Sequence, residues 1–152
     1  MKIWDISQTL RPSNQQGGLP VWPGDTDFAF ERTWRMDEGS CIVVDARGVE
    51  GEIDIGDLPD LEYANRVLFR TWDAFPHGRW RSDWLPIGAE AIEWLAAHGV
   101  VLIGTDAPSV DPQESKTMDA HLAVLKYDMR ILEGLVLDDV AAGLYELIAL
   151  PL

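Results

Sequence analysis

An α/β or mixed α+β domain is what the sequence predicts, and three features carry that expectation. Residues 86–98 have the apolar stripe of an amphipathic helix, and the run 100–104 just behind them reads as a buried strand. Short β-branched runs at 41–45 and 66–72 supply further strands for such a unit to pack beside. A helix feeding a buried strand, repeated along a chain, is the building pattern of sheets covered by helices.

In chain order, residues 2–7 alternate as a short strand would, and 10–18 follow as a loop rich in Pro, Ser, Asn, Gln and Gly. The loop ends in Val21-Trp22-Pro23-Gly24-Asp25-Thr26. Pro-Gly is a turn signal and a residue before Pro is held away from helical geometry, so Trp22 is expected at the lip of a loop. Residues 28–35 alternate again and predict a second strand, while the acidic stretch 50–62, with Gly56 and Pro59, reads as loop with a little helix. In the helix predicted over 86–98, Pro86 sits near the start, Ile87, Ala91, Ile92, Trp94, Leu95 and Ala96 form the stripe, and Gly99 is the stop. Residues 105–112 are then a polar loop at the carboxyl end of a buried strand, where open α/β sheets tend to bind ligands. A short helix over 119–126, with Asp119 near its start, and buried strands at 131–137 and 145–150 complete the reading.

The length of 152 residues and 47% hydrophobic content suit one domain, and seven tryptophans supply large core anchors. Twelve basic against 26 acidic residues give a formal charge of −14, which repels a polyanion and argues against nucleic acid as a partner. Cys41 is the single cysteine, so no intrachain disulfide forms and a reducing compartment is expected. The first ten residues lack the apolar core of a signal peptide, and no stretch reaches the roughly 18 apolar residues of a membrane span, so a cytoplasmic location and no membrane partner are expected.

Three histidines are candidates for chemistry. His98 precedes Gly99 at the predicted helix end, where it can bond the last carbonyls. His77 lies in the turn-like Phe75-Pro76-His77-Gly78. His121 stands two residues after Asp119 at a helix start, with Glu133 twelve positions on in Ile131-Leu132-Glu133-Gly134-Leu135-Val136-Leu137. In a strand Glu133 would share a face with Ile131, Leu135 and Leu137, which is costly unless the carboxylate is paired, protonated or bound to a cation. The alternative is an edge strand whose Glu reaches water. A His with a Glu suits zinc or manganese. Neither a Gly-x-Ser-x-Gly elbow nor a phosphate-binding loop with Lys nor an HExxH helix is present, and Ser109 and Cys41 have no recognisable partner histidine.

Five segments occur in an order that points to a known group: Trp4-Asp5-Ile6-Ser7, the Trp22 segment, Gly104-Thr105-Asp106-Ala107-Pro108-Ser109-Val110-Asp111-Pro112, Ser115-Lys116-Thr117-Met118-Asp119-Ala120-His121 and Ile131-Leu132-Glu133-Gly134. Over nearly the whole chain they resemble the cyclase-like metal-dependent hydrolases, most closely the kynurenine formamidases among them. That resemblance implies a swivelling β/β/α fold and a homo-oligomer, a dimer. It also implies a site with two metal ions, usually zinc with manganese as the alternative, that hydrolyses N-formyl-L-kynurenine to L-kynurenine and formate in tryptophan breakdown. By the same resemblance His121 is a ligand of one ion, Glu133 a carboxylate shared between the two, and Trp22 the aromatic residue that contacts the substrate's aryl ring.

The chain departs from that family at one place. The family's main metal motif, of the form H-T-G-x-H-x-D-A-P-x-H, falls between the strands matching 28–35 and 41–45, but here Met36-Asp37-Glu38-Gly39-Ser40 runs straight into Cys41. Three ligands and the histidine expected as acid/base therefore have no counterpart. The expectation is a single domain over 1–152 that is incomplete, with a segment missing near 40/41 and after 152. Two other functions stay open: a cyclase-family hydrolase of another amide or a lactone, and a non-catalytic binding protein on the same scaffold.

Overall fold

The computed structural model of the chain describes residues 2, 4–6 and 37–149. The strand expected at 28–35, the loop at 10–18 and Trp22 lie outside the described residues. Residues 2 and 4–6 form no strand; Ile6 instead accepts the Val136 N–H through its carbonyl, and the Trp4 indole donates to the Asp139 carbonyl.

Five strands make one sheet in the order β4-β3-β2-β1-β5. They are β1 (Asp37–Asp45), β2 (Arg66–Arg70), β3 (Leu102–Thr105), β4 (Arg130–Leu132) and β5 (Gly143–Ala149). The first four run parallel and β5 pairs antiparallel with β1. Helix α1 (Ala89–Ala97) connects β2 to β3, and α2 (Asp119–Lys126) connects β3 to β4. A single 3-10 turn at Ile55–Asp57 is the little helix expected in the acidic segment, closed by a reciprocal capping box between Asp54 and Asp57. The α/β expectation is met.

Alternation along the central strands builds two cores. Val67, Phe69 and Ile103 point to the face covered by the helices, where they meet Ile92 and Leu95 of α1 and Ala123 and Val124 of α2. Cys41, Val43, Leu68 and Leu102 point to the other face and pack against Leu135, Leu137, Val140 and Leu147. A sheet buried on both faces explains why these runs read as continuously apolar. A Cβ at Gly104 would collide with the Leu68 and Leu135 side chains, so glycine is what lets residue 135 cross β3 closely. Cys41 is a small buried hydrophobe of this second core, and burial pushes its thiol up to about 12.

Several element boundaries differ from expectation, and three of the differences bear on packing or on the site. Helix α1 begins at Ala89 rather than 86, because Ile87 pairs in a parallel bridge with Ile53 and Gly88 keeps extended backbone at φ −62°, ψ 140°. The strand expected at 131–137 ends at Leu132, since Gly134 adopts φ 66° and turns the chain. Glu133 therefore lies past the strand end and shares no strand face with Leu135 and Leu137. The strand expected to be buried at 145–150 is an edge strand from 143, with Leu144 and Ile148 exposed.

The carboxyl ends of β2 and β3 are clamped by Asp106, which is 3% exposed. Its carboxylate accepts the Thr71 N–H at 2.9 Å, the Thr71 hydroxyl at 2.5 Å and the Trp72 N–H at 3.0 Å. Burial raises its pKa above the ordinary 3.8, against the opposing pull of those donors. Asp106→Ala strands three buried donors and is expected to cost about 3 kcal/mol in urea denaturation, with Asp106→Asn costing about half as much. The native state holds the Asp106 proton more tightly than the unfolded chain does. Above 3.8 the wild type should therefore lose stability as pH rises through the folded-state pKa, a slope that Asp106→Asn should flatten.

Candidate metal centre

The loops leaving the carboxyl ends of β3 and β4 bring three side chains together. Asp111, buried in the loop after β3, reaches the first turn of α2: its Oδ1 accepts the Ala120 N–H at 2.9 Å and its Oδ2 accepts the His121 N–H at 3.1 Å. The residue at the formal cap position, Met118, sits in the left-handed region at φ 55° and offers no side-chain bond, so Asp111 caps the helix from eight residues upstream of Asp119. The same Oδ2 lies 2.5 Å from His121 Nδ1. One carboxylate thus fixes both the backbone that carries His121 and its ring.

Glu133 arrives from the other side. Immediately after it, the Gly134 and Leu135 amides donate to the Ala107 and Thr105 carbonyls, which lays the end of β4 over the loop leaving β3. Its Oε1 accepts the Val110 N–H at 2.9 Å and stands 3.5 Å from His121 Nε2. Burial raises the Glu133 pKa above the ordinary 4.5; the Val110 N–H and His121 pull it down and Asp111 adds to the rise. The His121 and Glu133 side chains remain 29% and 28% exposed, so the space between Nε2 and Oε1 opens to solvent.

That separation suits a shared ion. Ligands about 2.0–2.1 Å from a tetrahedral zinc stand roughly 3.3 Å apart, close to the spacing here. A histidine whose other ring nitrogen bonds a carboxylate is also the usual support of a metal-bound imidazole. The fit is to two corners of a site, because among the described residues no group of three or more His, Cys, Asp or Glu is arranged to hold a metal ion. The other two histidines are elsewhere. His98 Nδ1 lies 2.7 Å from the Trp94 carbonyl and its ring stacks on Trp94 at 3.6 Å, the helix-end role expected of it. The His77 ring meets the Phe75 ring edge, and its amide donates to the Phe75 carbonyl.

Asp111 is the site residue that its own sequence context did not reveal. A cap signal is sought at the position just before the helix, and an aspartate eight residues earlier gives none. Its loop is further held by Trp84, whose indole donates to the Asp111 carbonyl at 2.9 Å. Trp84 also walls a cleft of about 500 Å³ together with Trp72, Arg47, Arg81 and Asp83.

Comparison with known proteins bears on this site. The family model described as "Putative cyclase" matches residues 34–112. A kynurenine formamidase of Erythrobacter litoralis (strain HTCC2594) is 61% identical, with 99% of this chain and 87% of that protein covered. A kynurenine formamidase of Maricaulis maris (strain MCS10) is 43% identical, with 99% and 90% covered. The first alignment runs over 192 positions against 152 residues here, so at least 40 positions of it face no residue of this chain. A solved structure described as a potential metal-dependent hydrolase with cyclase activity superposes with a TM-score of 0.61 at 25% identity, over 70% of this chain and 53% of that one. A hydrolase structure from Bacillus stearothermophilus gives 0.62 at 24% identity over 73% and 58%, a likeness of fold. The chain spans little more than half the length of these two structures.

Glu133 offers a direct check on the geometry. Glu133→Gln keeps an acceptor for the Val110 N–H and should leave metal-free stability within about 0.5 kcal/mol, whereas Glu133→Ala leaves that donor unpaired and should cost about 1–2 kcal/mol by urea denaturation.

Proposed function

The chain belongs to the cyclase family, and from that membership we propose that it is a metal-dependent amide hydrolase that converts N-formyl-L-kynurenine to L-kynurenine and formate. The observation that carries the reading is the convergence of His121 Nε2 and Glu133 Oε1 at 3.5 Å, with the ring held from behind by Asp111. The names of the similar proteins support the choice of substrate.

The reaction adds water to the formyl carbon and breaks the C–N bond, releasing formate and the aryl amine. A bound divalent ion supplies polarisation of the formyl oxygen and a water of pKa near about 7. His121 and Glu133 are the residues proposed to hold it, Nε2 as a neutral donor and Oε1 as the charged one. Glu133 keeps its orientation through the Val110 N–H. The leaving nitrogen needs a proton donor, and His98 is committed to Trp94. Trp22 is kept as a proposed contact to the aryl ring.

The finer features form part of the same proposal. Zinc suits one imidazole and one carboxylate, with manganese the alternative, and two ions per subunit would make Glu133 a bridging ligand. A homodimer is supported by Met118, Leu122 and Leu125, which stand 46%, 54% and 45% exposed along one side of α2. No helix of the described residues is long and apolar enough to cross a membrane, and cytoplasmic residence is proposed with the single, reduced cysteine in mind.

A second reading is favoured by one observation. The alignment with the Erythrobacter litoralis protein has at least 40 positions facing no residue here, and catalytic zinc takes three protein ligands where His121 and Glu133 supply two. A protein of this chain alone, with the segment near 40/41 absent, would be a non-catalytic binding protein on the hydrolase scaffold. Metal analysis of the purified protein paired with an N-formylkynurenine assay, run against simple formamides, separates the two. Bound zinc with turnover of N-formylkynurenine is the expected result, abolished in His121→Ala and Glu133→Gln; a metal-free, inert protein would overturn the hydrolase.

A further inference from the structure

We infer that Asp111 is a positioning residue: it holds the His121 ring as the tautomer protonated on Nδ1, so that Nε2 presents its lone pair toward Glu133. The inference rests on the reading of His121 and Glu133 as metal ligands and adds the residue that makes His121 fit for the role.

Three features of the geometry lead to it. A carboxylate accepts and does not donate, and both Asp111 oxygens already accept α2 amides, Oδ1 from Ala120 and Oδ2 from His121. The ring nitrogen 2.5 Å from Oδ2 must therefore be the donor. In a neutral imidazole the proton on Nδ1 leaves Nε2 as the acceptor, which is the form that binds a metal. Asp111 in turn has little freedom. It is 4% exposed, its carbonyl accepts the Trp84 indole N–H at 2.9 Å, and the carbonyl of the preceding Val110 accepts the Ile87 amide. The chain from the start of α1 through Val110 and Asp111 to the His121 ring is thus continuously hydrogen-bonded.

The carboxylate also does something a distant cap alone would not. Capping needs only an acceptor near the Ala120 amide, which an asparagine oxygen provides equally well. An asparagine whose oxygen takes the Ala120 amide turns its NH2 toward the His121 amide and Nδ1; the ring nitrogen then has to accept, and the proton moves to Nε2. Asp111→Asn therefore keeps the cap bond to Ala120 while reversing the contact to the ring.

The test is long-range proton–nitrogen correlation NMR on metal-free, nitrogen-15-labelled protein, about two pH units above the ordinary histidine pKa, with His121→Ala to assign the ring. The wild-type His121 ring is expected to carry its proton on Nδ1 and Asp111→Asn to move it to Nε2. Zinc titration by calorimetry should show a 10–100-fold weaker affinity for Asp111→Asn. Ser115→Ala, which removes the hydroxyl that accepts the Met118 N–H at the same helix start, should change neither tautomer nor affinity. A wild-type ring protonated on Nε2, an Asp111→Asn ring still protonated on Nδ1, or the same loss of affinity in Ser115→Ala would overturn the inference. A wild-type protein that takes no zinc defeats the metal reading alone, and the ring tautomer still decides the role of Asp111.

Discussion

The Asp111 carboxylate is the contact on which the candidate centre depends. It satisfies two of the amides that the first turn of α2 leaves without helical partners, and with the same atoms it fixes a ring nitrogen of His121. Helix start and ligand orientation are therefore one constraint. A polar side chain buried to this degree needs such donors, so the local structure and the site stabilise each other.

The sheet provides the platform. Parallel strands present their carboxyl ends on one side, and here the ends of β2, β3 and β4 lead to Thr71, Asp106 and Glu133. Asp106 ties the first two ends together through Thr71 and Trp72, and the Gly134 and Leu135 amides tie the third to the loop that contains Ala107. Glycine at 104 lets the chain after β4 cross close to β3. His121 comes from the first turn of α2 and Glu133 from just past β4, yet both are hydrogen-bonded to a shared neighbour, the stretch from Thr105 to Asp111.

Much of this was legible from the residues. Helix 119–126 was read at its observed bounds, and the helix-to-strand unit around Gly99 was recognised because its apolar stripe, stop signal and following buried strand agree with one another. The last strand was misjudged as buried because an apolar run has no period to say which face is covered, and its position at the sheet edge depends on pairing with β1. The strand expected over 131–137 stops short of Gly134, where the positive φ outweighs the β-rich composition. His121 and Glu133 were named through motifs in register rather than from their own surroundings. The role of Asp111 was hidden because a contact across ten residues of irregular loop leaves no mark in sequence spacing.

Two donors in place and a longer alignment than the chain can fill leave the half-site as the central claim. X-ray absorption at the zinc edge of the zinc-loaded protein tests it most directly, because imidazole scattering reports how many rings bind each ion. Scattering from a single ring that disappears in His121→Ala is the expected result. Imidazole scattering that persists in His121→Ala, or none in the wild type, would contradict it.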